Sequence, residues 1–336
     1  MDPEKFFVRS AIGIDVGKDL CVACSLPEKK FFTFRNESKA IQKFVDDVKL
    51  HIRPDQIILE PTSRYERPLA RALQEAEQHV VVMNPRRLKH LADAEGRTYR
   101  SDPNEAFYFA KVAMRGTYPA RQLPSRQREC LRILCTFRSL LTSKKVDIQL
   151  GMEQALEAIE TVGKLIPIDS KMVADLQKSM RKLIAEIEKL LAKIALLIQA
   201  IITQEPEFQR PNVILQSIPG IGPATSAALL GMLPELGNAN RREIASLCGL
   251  APMNHDSGKM RGVRRVGHGR NGLKTALYCA VASAMRYNPP IRAFSERLKA
   301  RGSSGLRLKI ACMRKLIVQA NTLLKKDELW QCPTGI

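Results

Sequence analysis

Residues 10–26 read SAIGIDVGKDLCVACSL. Two apolar runs flank a short polar stretch containing Gly17, the pattern of two short strands around a glycine turn. Asp15 follows the first run, AIGI, and so stands at a strand end. Cys21-Val-Ala-Cys24 is formally a CxxC, but a strand's two-residue period sends these thiols to opposite faces. Buried, reduced thiols are therefore the expectation, and none of the other six cysteines forms a second pair at zinc spacing.

Working outward, QIILE (56–60) is a buried strand between Pro54 and Pro61, and Glu60 ends it. RPLARALQEAEQ (67–78) has the spacing of an amphipathic helix. HVVVMNP (79–85) is another strand. DPNEAFYFAKVAMR (102–115) begins a helix, with Asp102 expected at the cap and Pro103 at the first helical position. Strands alternating with helices predict an α/β domain over 1–120.

From about 125 to 210 the pattern is helical. Leu176, Met180, Leu183, Ile187, Leu190, Ile194, Leu197 and Ile201 step by fours and threes, a heptad seam ending before Pro206. Ile184, Leu191 and Ile198 widen it. A helical, coiled-coil segment over 121–210 follows, with self-association as the expected use and packing within its own domain as the plainer one. A mainly α region, 211–336, comes next. SIPGIGPATSAALLGML (217–233) carries helix-hairpin-helix punctuation. Gly220 and Gly222 allow a tight turn, and the amides of the helix that follows suit a backbone phosphate.

The 336-residue chain carries a net charge of +20, which points to a polyanion, nucleic acid foremost. Aromatics make up only 5%, so base stacking is not the expected binding mode. The sequence holds no eighteen-residue apolar run, signal peptide or lipidation motif, and a soluble cytoplasmic protein with no membrane partner is expected. Residues 255–315 contain fifteen Lys and Arg against Asp256 and Glu296, most of the net charge. The stretch HDSGKMRGVRRVGHGRNG (255–272) alternates cations with glycine. Lys259, Arg261, Arg264, Arg265, Arg270 and Lys274 are the candidate phosphate contacts.

The first region contrasts with this basic one. Asp15 and Glu60 end strands, and Asp102 and Glu105 stand three apart on one helical face. Converging carboxylates of this kind hold magnesium or manganese for attack on a phosphodiester. Each acid also has a plainer reading: a turn at Asp15, a cap at Asp102, a capping-box partner at Glu105.

With these residues assembled, GIDVGKD, LEPTSRYE, RSDPNEA, IPGIGPATSAALLGMLPELG and LCGLAPMNHDSGKMRGVRRVGHGRNGLKTALY resemble the insertion-sequence-110 family of DEDD transposases, related to the Piv-type DNA invertases. NPPIRAF and ACMRKL extend the resemblance over nearly the whole chain, least clearly at 120–210. It implies an RNase H-like, RuvC-type first domain whose four acids fall on Asp15, Glu60, Asp102 and Glu105. The family usually has Asp at the last position and commonly Gly where Ser63 stands. It implies that Ser257, in the Asp-Ser-Gly element, is the nucleophile of a DNA recombinase working through a 5′-phosphoserine. It also implies donor and target DNA, a structured bridge RNA, and a dimer-to-tetramer homo-oligomer whose subunits share active sites, acting at the prokaryotic nucleoid.

The chemistry is consistent with that family. A serine hydroxyl needs activation, which cations at the carboxylates and the neighbouring arginines could supply. His255 and His268 are candidate proton-transfer groups, histidine being the residue type suited to that role near neutral pH, and Asp256 could orient the loop. Two further readings stay open from residues alone: a hydrolytic nuclease of the Holliday-junction-resolvase type, and a non-enzymatic DNA-binding module.

Overall fold

A computed structural model describes residues 8–96, 101–120, 123–163, 169–253, 265–267, 269, 270 and 272–332. The chain divides into two compact units, Met1–Leu123 and Pro124–Ile336. The long helices expected over 121–210 thus belong to the same unit as the C-terminal region.

The first unit is built on five strands: β1 (Ala11–Val16), β2 (Leu20–Leu26), β3 (Lys30–Arg35), β4 (Gln56–Leu59) and β5 (Val80–Val82). Their order is β3-β2-β1-β4-β5. β1, β2 and β3 are antiparallel neighbours, while β4 and β5 continue parallel to β1. This mixed sheet is the RNase H-like arrangement. The helices are α1 (Ser38–Asp47), prolonged by a π turn at Val48–Ile52, α2 (Arg67–Glu75), α3 (Pro85–Ala94) and α4 (Asp102–Met114).

The two-residue period sorts the sheet into two faces. Ile12, Ile14, Val16, Cys21, Ile57 and Leu59 pack with Ile41, Phe44, Leu69 and Leu73 of α1 and α2. Ala11, Ile58 and Val81 pack on the other face with Leu88 of α3 and Phe109 and Val112 of α4. Cys24 belongs to this second face, beside Ala106. The CxxC thiols do point apart, and burial pushes Cys21 up to about 12 and Cys24 up to about 11. At neutral pH both are protonated and poorly nucleophilic.

Gly13 sets how closely α4 approaches the sheet. A Cβ there would overlap the Ala106 carbonyl and the Ala110 amide, both backbone atoms of α4. Only glycine lets β1 and α4 touch main chain to main chain. The helix starts one residue before the expected position: Ser101 is the N-cap, in extended backbone with φ −145° and ψ 151°. Asp102 and Pro103 are therefore the first two helical residues. This frees the Asp102 carboxylate from capping duty.

The second unit contains α5 (Arg126–Gly163), α6 (Ser170–Gln204), α7 (Pro206–Ser217), α8 (Pro223–Met232), α9 (Arg241–Leu247), α10 (Leu273–Tyr287), α11 (Pro289–Ala300) and α12 (Gly305–Lys326). The two-residue strands β6 (Pro252–Met253) and β7 (Arg265–Val266) pair antiparallel. Every residue of α8 from Thr225 to Met232 is buried, making it the central helix. α5 and α6 form a helical hairpin tied by Lys145 Nζ to Glu188 Oε1 at 3.1 Å. Ile187, Ile194, Ile198 and Ile202 of α6 are buried. Leu176, Leu183, Leu190 and Leu197, spaced by seven, remain 46–51% or, at Leu197, 55% exposed. The heptad seam is thus divided between an internal and an exposed stripe.

Gly13→Ala is expected to cost about 3 kcal/mol or more, at the upper end for overpacking, because rigid backbone must yield. Chemical denaturation of the purified variant measures it; a loss under about 1 kcal/mol would show that α4 can retreat freely.

Candidate active site

Asp15 shares the period of Ala11 and Gly13, and Glu60 that of Ile58. Both therefore face α4. β1 and β4 are parallel with Ile14 opposite Leu59, so Asp15 and Glu60 are the next residues along adjacent strands, at their C-terminal ends. Gly13 packs against Ala106 and Ala110, which sets the preceding turn of α4, with Asp102 and Glu105, over those ends. Asp102 is exposed, while Asp15, Glu60 and Glu105 are half-buried.

The electrostatics report the convergence. The Asp15 carboxyl is pushed from its ordinary 3.8 up to about 6. Burial is the largest cause, followed by the negative charges of Asp102, Glu105 and Glu60; a hydrogen bond with the Val16 backbone acts the other way. Among the described residues, no three His, Cys, Asp or Glu side chains yet meet at metal-ligand spacing. Asp102, Glu105 and Glu60 are each near enough to act on Asp15, but the acids do not share a single point. Carboxylate oxygens are the donor type that a hard divalent cation takes, and the charge of such a cation would relieve the repulsion at Asp15.

A strained loop lies beside them. After Glu60 the chain passes through Ser63 at φ 49° and Arg64 at φ 80°, both in the left-handed region that favours glycine. The loop is held by its neighbours. Asn36 Nδ2 donates to the Gly17 carbonyl at 2.9 Å and to the Tyr65 carbonyl at 3.0 Å. The Thr62 amide donates to Glu66 Oε2 at 3.0 Å. The left-handed backbone at Ser63 explains why glycine serves well there.

A cleft of about 210 Å³ opens at the acids, lined by Glu60 and Glu105, by Arg86 and Lys89 of α3, and by Leu88 and Phe109. Sequence reasoning missed Arg86 and Lys89. The available signal was Asn84-Pro85, a cap and first-turn pair. The Asn84 side chain accepts from the Arg86 amide at 2.9 Å and starts α3.

The serine stretch is placed only by its base. Ser257, with His255, Asp256, Lys259, Arg261, Arg264 and His268, lies outside the described residues, and Arg265 is described by its backbone alone. β6 and β7 bracket residues 254–264 with a short antiparallel ladder. Behind it, Gly249 and Gly269 cross so closely that a Cβ on Gly269 would overlap the Gly249 backbone.

Arg270, expected to contact phosphate, has internal partners instead. Its guanidinium grips Glu235 with two bonds of 2.5 and 2.6 Å and donates to the Met232 carbonyl at 2.8 Å. Charge counting cannot distinguish such a structural pair from a solvent-facing cation. Lys274 is half-buried, its stem beside Gly249. Gly220, at φ 106°, lets the turn between α7 and α8 sit on α10, where a Cβ would come within 2.6 Å of Ala284. Gly222 caps α8 and faces open space.

Two family models match the chain. One, described as a transposase of the DEDD type of insertion sequence IS110, spans residues 12–160. The other, described as the transposase IS116/IS110/IS902 family, spans 212–296. The pilin gene-inverting proteins of Moraxella bovis and Moraxella lacunata are each 24% identical over 329 residues, covering 95% of this chain and 97% of theirs. A solved structure of Thermus thermophilus RuvC in complex with a Holliday junction substrate is similar over 31% of this chain and 92% of its own, at 15% identity and a TM-score of 0.26.

The raised pKa of Asp15 has a direct consequence for stability. An acid whose folded pKa lies above its unfolded value costs nothing when protonated in both states. Its penalty grows from about pH 4 and is complete above about pH 6. A shift of this size corresponds to about 3 kcal/mol at 1.36 kcal/mol per unit, cut to about 1–2 kcal/mol by solvent screening at a half-buried group. In chelator, Asp15→Asn is therefore expected to stabilise the protein by about 1–2 kcal/mol at pH 7–8 and not at pH 4. Denaturant titration at the two pH values measures it; equal stability at pH 7.5 would remove the claimed repulsion.

Proposed function

Because the chain belongs to the IS116/IS110/IS902 family of transposases, we propose that it cuts and rejoins DNA through a covalent phosphoserine at Ser257, with its acidic centre serving the same reaction. The observation that carries this reading is the convergence of Asp15, Glu60, Asp102 and Glu105 at the ends of β1 and β4, reported by the upward shift of Asp15.

Asp15, Glu60, Asp102 and Glu105 would hold magnesium or manganese, with Glu105 reaching one methylene further than the Asp usual in the family. A divalent cation, when bound, withdraws charge from the phosphate being attacked. The Ser257 hydroxyl loses its proton and forms a bond to phosphorus. The bond from phosphorus to the 3′ oxygen breaks, leaving a free 3′ hydroxyl and a 5′-phosphoserine. Attack by another strand's 3′ hydroxyl then releases the serine and reseals DNA. One phosphate ester replaces another at each stage, so no external energy source is required.

Lys259, Arg261, Arg264 and Arg265 are proposed to neutralise the phosphate near Ser257. Arg270, gripped by Glu235, is proposed to steady the chain after β7. The turn between α7 and α8, read as a helix-hairpin-helix, offers the amides after Gly222 to a DNA phosphate. Donor and target DNA are the substrates, and a structured bridge RNA is proposed as the guide. The exposed stripe Leu176, Leu183, Leu190 and Leu197 favours pairing with a second copy of the chain. Residues 1–120, 121–210 and 211–336 would thus supply metal centre, assembly and nucleophile.

The test is a covalent one. Wild type incubated with a plasmid carrying the mobile element and its co-purified RNA should yield a protein–DNA adduct stable to denaturant. Ser257→Ala should lose adduct and strand exchange by at least 10³-fold, the scale of removing a nucleophile. Asp15→Ala should lose both as well. A mixture of the two variants should recover activity if subunits share sites. Cutting by Ser257→Ala at the wild-type rate would replace the covalent mechanism with a hydrolytic one.

A further inference from the structure

The cleft beside Glu60 and Glu105 has a second wall of opposite charge. Arg86 and Lys89 stand three apart on α3, as Asp102 and Glu105 stand three apart on α4, so each pair occupies one helical face. Arg86 and Lys89 line the same cleft of about 210 Å³ as Glu60 and Glu105. Neither cation forms an ion pair with a described residue. Both are exposed, while Leu88, on the same helix, turns into the core. The helix is fixed at its start by the Asn84 cap and Pro85, and by Leu88 and Ala92 packed against the sheet. This arrangement keeps two exposed cations in the same cleft as Glu60 and Glu105.

A DNA strand entering an acidic centre meets repulsion from the carboxylates themselves. A cation bound by them offsets part of that at one phosphate only. The neighbouring phosphates of the strand need positive charge from the protein. Arg86 can grip a phosphate with two parallel hydrogen bonds, and Lys89 adds a point charge one turn along. The apolar lining of Leu88, Ala92 and Phe109 displaces water and strengthens both contacts. At about 210 Å³ the cleft has room for several waters, enough to admit one unit of sugar-phosphate backbone.

We propose that Arg86 and Lys89 are DNA-contacting residues of the acidic centre, holding the backbone of the strand that is cut on the cleft wall opposite the carboxylates. This rests on the reading of Asp15, Glu60, Asp102 and Glu105 as the cutting centre, and it gives that centre its substrate-positioning half. The bound chemistry is a phosphodiester of single-strand geometry.

The experiment uses the full-length chain with its co-purified RNA and the element-bearing plasmid, in manganese. Arg86→Ala with Lys89→Ala is compared with Lys39→Ala with Lys43→Ala, which removes the same charge from exposed positions of α1. Strand cleavage by the α3 double variant should fall by about 10–100-fold at limiting DNA and recover largely at saturating DNA, a KM effect. The manganese requirement should stay within threefold, and Arg86→Lys should retain part of the activity. The α1 variant should cut within twofold of wild type. Binding of a labelled single-stranded oligonucleotide in calcium should lose about 1.4 from its salt slope in the α3 variant alone, two phosphates at about 0.7 each.

The proposal is overturned if the α3 variant cuts and binds as wild type does. It also fails if both double variants lose equally, since bulk charge then suffices. A rise in manganese requirement with unchanged KM would likewise overturn it, because the pair would then act on the carboxylates and not on DNA. Asp15→Ala in the same assay separates the two levels. Inactive Asp15→Ala beside an active α3 variant removes only this proposal, whereas an active Asp15→Ala removes the cutting centre and this proposal with it.

Discussion

The main-chain contact between β1 and α4 at Gly13 is the constraint on which the placement of the first unit's acids depends. A strand and a helix normally stand apart by the thickness of their side chains. Removing one Cβ lets Ala106 and Ala110 come down onto the strand. The first turn of α4 then overhangs the strand ends, and Asp102 and Glu105 join Asp15 and Glu60. The same contact that makes the core tight brings three further carboxylates within electrostatic reach of Asp15. The raised Asp15 pKa is the electrostatic consequence of a packing decision made two residues earlier in the strand. Holding like charges near one another costs stability, which a bound cation would return.

A second division of labour concerns the positive charge. The net +20 is not one undifferentiated surface. Arg270 is committed to Glu235. Arg128 is committed to Glu207 and to the Leu230 carbonyl. Such pairs hold α5 and the chain after β7 against the core built on α8. Arg86 and Lys89 differ, because they line a cleft and have acids nearby without pairing to them. What separates a structural cation from a ligand-facing one is the partner that the fold brings to it.

Much of this was legible in the sequence, and the limits have physical causes. The apolar runs AIGI and IIL placed Asp15 and Glu60 at strand ends; that they share a face follows from the register of β1 on β4. The three-residue spacing of Asp102 and Glu105 placed them together on a helix. The helix start was displaced by one residue, since Ser101 and Asp102 are both good caps and only the backbone decides between them. α3 was hidden because HVVVMNP reads continuously as a strand, although Asn84 in fact caps the helix that presents Arg86. The heptad seam was real as a pattern. Its division into a buried stripe at Ile187, Ile194 and Ile198 and an exposed one at Leu183, Leu190 and Leu197 depends on where α5 lies, which no local period encodes. The pairing of Arg270 was hidden for the same reason: Glu235 is 35 residues away in sequence.

The divided seam bears on the chemistry proposed for Ser257. A phosphoserine preserves the phosphate bond but leaves a free 3′ hydroxyl that must not diffuse away. The strands to be exchanged have to be held through the interval between cutting and resealing. One loop cannot do that, and neither can one acidic cleft. Holding two DNA segments calls for at least two attachment points that survive the broken strand, which a paired chain supplies twice over. Because the α5–α6 hairpin closes with isoleucines while its leucine stripe stays outside, the fold leaves α6 able to pair without first unpacking. Pairing through that stripe, as proposed, would therefore not compete with folding, and the proposed covalent intermediate would form within a paired assembly.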